Sequence, residues 1–230
     1  MEILIDKNIV IRPENDIHKT DDDKMHSKNG EMIMERSIQY FDDVGKQNTD
    51  DVVKVAAERA EELGIKYIVL SSTEGHTALK MAEEVKGKDI KIIAITHQYG
   101  LREDGNWEMD EDNLKKLQKM GVLVTTQSHM FSGVERAISK RLGGASRADV
   151  ISDTLRAVFG KGFKVALEVV MMAADSGHIP VSKDTEVIAI GGTRQGADVA
   201  LVVRPAHSQN FFNLQVREIL AMPRAKEEPK

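Results

Sequence analysis

An α/β fold built on a parallel sheet is what the residue pattern predicts, on three observations. Apolar runs, broken only by Lys91, recur at 67–70, 90–95 and 122–124, as in strands covered on both faces. Stretches of helical spacing separate these runs, and the connections are short, which is the alternation of βαβ units. The 230 residues, 41% hydrophobic and 30% charged, are enough to bury a real core.

The elements follow in order. Residues 1–31 read as an N-terminal extension, with apolar stretches at Ile3 to Ile5 and Ile9 to Ile11 before the acidic run Asp21-Asp22-Asp23. The second stretch could add an edge strand, and Met25, Met32 or Met34 would each serve as an alternative start. A single domain spans 32–224, and 225–230 form a charged tail. A short strand ends at Tyr40-Phe41. Thr49 then caps a helix whose first turn carries Asp50 and Asp51, acids that suit a helix N-terminus. Val52, Val53, Ala56, Ala60 and Leu63 recur at helical spacing, and Gly64 stops the run. Helices are expected near 78–85 and 110–120, and a purely helical stretch over 134–142, 148–159 and 165–174. Strands at 186–190 and 199–203, joined by the short glycine loop 191–198, read as a hairpin, so the last strand runs antiparallel to its neighbour.

Composition narrows the function. With 37 acidic and 32 basic residues the net charge is −5, which argues against a general nucleic-acid binder. There is no cysteine, so thiolate chemistry, thiolate zinc sites and disulfides are excluded. No run of about 18 apolar residues and no signal-peptide pattern is present, so neither membrane insertion nor export is signalled and a cytoplasmic location is expected.

The candidate chemistry lies where strands end, since open α/β sheets bind ligands beyond the carboxyl ends of their strands. Between strand 67–70 and the next helix stand Ser71, Ser72, Thr73, Glu74, Gly75, His76 and Thr77. Hydroxyls, a glycine and the free N–H groups of a helix start make an anion site there, and the competing reading is an ordinary capped turn. The loop lacks the Walker pattern, so a P-loop hydrolase is not expected. Gly192, Thr193, Arg194 and Gly196 lie in the second loop, which leads into a strand and is therefore no dinucleotide fingerprint. Ligand contact and simple turn chemistry are equally open for it. His76, His97 and His129 each follow a strand, but no metal-ligand spacing accompanies them and no metal is expected. Glu168 and Asp175 share a face of the apolar segment 166–175, which calls for a cationic partner such as Arg136 or Arg156. A Ser128, His129 and Asp175 hydrolase is not favoured, because no nucleophile elbow is present.

At these residues the segment YIVLSSTEGHTALKMAEEVKGKDIKIIAIT resembles the start of the pyruvate kinase C-terminal domain, and VIAIGGTRQGADVALVVRP resembles its end. FSGVERAISKRLGG and MAADSG are more closely similar to a stand-alone, archaeal-type family related to that domain. The resemblance implies a three-layer α/β/α fold, with a mixed, mostly parallel five-stranded sheet and an antiparallel edge strand. It implies a phosphorylated small-molecule ligand, with flavin mononucleotide (FMN) as cofactor, at Ser71, Ser72, Thr73, Gly75, His76 and Thr77. Thr96, His97, Gln127, Ser128, His129, Gly192, Thr193, Arg194 and Gly196 would line the rest of the cleft. On this reading the chain is not itself a pyruvate kinase, because that enzyme's active site lies in a barrel for which there is no room. A flavin-dependent oxidoreductase or an enzyme acting on a phosphorylated metabolite is the alternative, and a homo-oligomer is possible.

Overall fold

Strands and helices alternate along the chain in the order that the apolar spacing predicts. The computed structural model describes residues 24–28 and 31–227, and the chain divides into two compact units, Met1–Ser37 and Ile38–Lys230. In the first, β1 (Lys24–Lys28) pairs antiparallel with β2 (Glu31–Glu35), Met25 opposite Met34. Residues 1–23 of the expected extension, including Ile9 to Ile11, lie outside the described residues, as do 228–230 of the tail.

The second unit is built on seven strands in the order β3-β9-β8-β7-β4-β5-β6. These are β3 (Gln39–Phe41), β4 (Tyr67–Ser71), β5 (Lys91–Thr96), β6 (Leu123–Thr126), β7 (Val187–Gly191), β8 (Val199–Arg204) and β9 (Gln215–Pro223). Strands β7, β4, β5 and β6 run parallel, and β8 is antiparallel to both β7 and β9. The sheet is therefore mixed and mostly parallel, with the expected β7–β8 hairpin. It is larger than five strands because β9 pairs along β8 and β3 then adds parallel to β9. The Arg59 guanidinium, buried, reaches from the first helix to the Glu218 carboxylate at 2.7 Å and holds β9 in place.

The period of two along each strand decides which helices lie on which face. Ile68 and Leu70 of β4, with Ile188 and Ile190 of β7, pack against α1 (Thr49–Glu62), α2 (His76–Glu84) and, through Leu117, α3 (Glu111–Lys119). Val69, Val187, Ala189 and Leu201 point the other way, onto α6 (Lys161–Asp175). Outside α6 lie α5 (Arg147–Phe159) and then α4 (Val134–Leu142). Helix α6 is apolar almost all round because it is covered by the sheet on one side and by α5 on the other. Gly162 and Gly191 permit that approach: a Cβ on Gly191 would meet the α6 backbone.

Candidate functional site

Because β7, β4, β5 and β6 are parallel neighbours, Gly191, Ser71, Thr96 and Thr126 all end on one edge of the sheet. The four groups of residues singled out above are thus brought to the same edge. They differ in how far their polar groups are already engaged.

The loop after β4 is held from two sides. The Ser72 N–H donates to the Ile95 carbonyl at 3.0 Å, and the Asn113 side chain donates to the Glu74 carbonyl at 2.9 Å. Gly75 adopts φ +97° to turn into α2, and a Cβ there would lie 2.9 Å from that of Asn113. The buried Ser72 hydroxyl accepts from the Ala78 N–H at 3.3 Å, so the capped turn is real. The N–H groups of His76 and Thr77 remain without an acceptor among the described residues. Glu74 sets a carboxylate 3.4 Å from the exposed His76 ring.

Between the β5 and β6 ends the polar groups bind each other. The buried Thr96 hydroxyl contacts that of Thr126 at 2.8 Å and accepts from the Trp107 indole at 3.0 Å. Tyr99 stacks on Trp107, with centroids 5.3 Å apart. His97 Nδ1 lies 2.7 Å from Glu108, which Arg102 also contacts at 2.9 Å. The His97 and His129 rings are 5.3 Å apart, and His129 Nδ1 is 3.7 Å from the buried Glu168. Burial holds His129 below the usual imidazole range against the pull of Glu168. Gln127 turns away to donate to the Met172 carbonyl at 3.2 Å, and Ser128 is exposed.

Two expectations about the carboxylates change. Glu168 has its cationic partner, but it is Lys164, at 2.5 Å and one turn away on α6, rather than Arg136 or Arg156. Asp175 is exposed and meets His207 at 3.3 Å, so it is not part of the buried face and does not orient His129. Lys164 and Glu108 had not been singled out. The Lys164–Glu168 spacing of four within an apolar helix was the available signal for the first.

In the loop after β7 the organiser is the buried Asp198. Its Oδ2 accepts from the N–H groups of Gly45 at 3.0 Å and Thr193 at 3.1 Å. Gly192 and Gly196 pack too closely for side chains, and Arg194, at φ +66°, extends to Glu227 at 2.8 Å. Arg194 and Thr193 are therefore engaged within the chain.

Residues 50–203, about two thirds of the chain, match the model of the pyruvate kinase alpha/beta domain. The chain belongs to that family. Among solved structures it is similar to a pyruvate kinase from Cryptosporidium parvum, at 16% identity over 69% of this chain and 23% of that one, with a TM-score of 0.36. It is equally similar to Cryptosporidium parvum pyruvate kinase in complex with ADP, at 16% identity over 69% and 24% of the two chains, TM-score 0.36. The chain thus spans about a quarter of the length of the pyruvate kinases it matches.

The family match corrects the functional expectation. A flavin-binding protein set apart from pyruvate kinase, or a flavin-dependent or other enzyme in its place, gives way to the pyruvate kinase alpha/beta domain that residues 50–203 match. A hollow of 770 Å³ also lies away from the strand ends, among Val53, Leu79, Lys80, Glu83 and Met120 on the α1, α2 and α3 side. Among the described residues no helix is long and apolar enough to cross a membrane.

Proposed function

We propose that this chain serves as the α/β module of a pyruvate kinase, a part that senses a small anionic effector at the strand-end edge. Membership of the family supports the module. The loop after β4 supports the effector: two N–H groups at the start of α2 stand without acceptors among the described residues, on a backbone braced by Asn113 and by β5. Ser71, Thr73 and Thr77 would add hydroxyl contacts around them. The finer reading, a stand-alone archaeal-type member, draws on FSGVERAISKRLGG and MAADSG.

Trp107 is the one tryptophan of the chain and stands at the same edge, bonded to Thr96. Its fluorescence is expected to change saturably when fructose 1,6-bisphosphate is titrated in, with inorganic phosphate competing. A flat titration with both would overturn the effector site and leave the family membership in place.

A further inference from the structure

We propose that the seam between α5 and α6 holds a small oxyanion, a carboxylate or a phosphate, on Ser152, Arg156 and Lys164. This site is separate from the loop after β4, because α2 and α6 lie on opposite faces of the sheet.

Gly160 is the only residue between the two helices, so they fold back on one another as a hairpin. The Phe159 and Phe163 rings, 4.6 Å apart and nearly parallel, stack across its turn. Counted outward from Gly160, Arg156 and Lys164 each stand four residues away and Ser152 and Glu168 eight, which makes two pairs spaced four residues apart on each helix. The spacing of four sets both side chains of each helix on one face, and Ser152 is the buried residue of α5, the helix packed on α6.

Donors outnumber acceptors there. The Lys164 ammonium is 2% exposed and carries three N–H bonds, yet Glu168 Oε2 is its one hydrogen-bond acceptor among the described residues, the Phe131 ring lying 5.5 Å away. Arg156 Nε and Ser152 Oγ are buried with no hydrogen-bond partner among the described residues. Glu168 is engaged elsewhere on both oxygens, Oε2 by Lys164 and Oε1 by the Phe131 N–H at 2.7 Å. The remaining carboxylates look outward. Asp153 is 73% exposed and touches Arg156 Nη1 at 3.4 Å, and Asp149 accepts from Ser139 and Ser146. Arg136 on α4 adds its field to Lys164 and His129, as Arg156 does to Lys164, and burial pushes the Lys164 ammonium down. Unmatched buried donors are costly, and more so beside like charges. An oxyanion answers both needs, accepting several hydrogen bonds while offsetting the positive field. It would enter beside Arg156, whose side chain is 33% exposed.

His129 reports occupancy, because it shares Glu168 with Lys164 and feels Arg136. The test follows its ring C–H signal by NMR in the full chain, as pH is varied in chloride, with inorganic phosphate, and with malonate. The expected result is a saturable rise of the His129 pKa by about half a pH unit with phosphate, malonate or both. Arg156→Gln is expected to weaken that response roughly tenfold, and Arg156→Lys to recover part of it. Phosphate acting alone identifies a phosphate site, and malonate acting alone a carboxylate site. Titrations flat with both anions mean that water serves these donors, which overturns the proposal, as does a full response in folded Arg156→Gln. Should that variant not fold, the wild-type titration and Ser152→Ala decide.

Discussion

The loops that follow β4 and β7 look alike in sequence, each short and glycine-bearing, and each ends on the same edge of the sheet. They are organised in opposite ways. After β7 a buried carboxylate draws the loop inward: Asp198 Oδ2 collects N–H groups from Gly45 and Thr193, while its Oδ1 is buried without a hydrogen-bond partner among the described residues. After β4 the support comes from behind, through Asn113 and Ile95, while the N–H groups at the start of α2 have no acceptor among the described residues. A loop gathered inward on one carboxylate contributes to stability. One braced from behind is free to bind. The same glycine freedom serves both, so what separates them is where the nearest acceptor sits.

The sharpest break of that contrast is at Asp198. Replacing it with Ala leaves two buried N–H groups unpaired and is expected to cost about 2–4 kcal/mol in urea unfolding. Asp198→Asn keeps an acceptor and should cost far less. The pair also differs in pH dependence, because burial pushes the Asp198 carboxyl above its ordinary 3.8. A group that holds its proton more tightly when folded contributes stability that is complete below the unfolded value and is lost as pH rises through the folded one. Wild type should therefore weaken with rising pH across that window, while Asp198→Asn shows a flatter profile. A wild-type profile without that fall would mean that Asp198 is not the buried centre of the loop.

The second break is at Gly75. With φ +97° and the Asn113 side chain behind it, Gly75→Ala meets both backbone strain and a close contact, for an expected loss of about 1–3 kcal/mol. Fructose 1,6-bisphosphate should bind more weakly to the same variant, since α2 cannot start in the same place. A stability loss with unchanged binding would detach the effector from this loop.

How much of this was legible before the structure follows the range of the interactions. Strands β4, β5 and β7 and the helices between them rest on local apolar spacing, and they form where that spacing places them. Strand β9 escaped notice because its apolar end, Leu220 to Met222, is short and is stabilised by distant partners, β8 and Arg59. The strand-end position of Ser72, His97 and His129 could be read from topology alone. Whether each would be engaged could not, since Ala78, Glu108 and Glu168 reach them only through the fold. Lys164 was within reach of the sequence, four residues before Glu168, but an arginine partner looked more natural for a buried carboxylate.

The smallest expected effect sharpens the comparison most finely. Ser72→Ala removes the hydroxyl that accepts from Ala78, a long bond of 3.3 Å, while the backbone bond from Ser72 to Ile95 stays. The cost should be about 0.5–1 kcal/mol, that of a weak helix cap. Effector binding should hold or tighten, because the substitution frees a third N–H beside those of His76 and Thr77. If that hydroxyl instead contacts the effector directly, affinity falls as stability does. The two outcomes separate a hydroxyl that caps α2 from one that belongs to the binding surface, and with it how much of the loop after β4 is committed inward in the manner of the loop after β7.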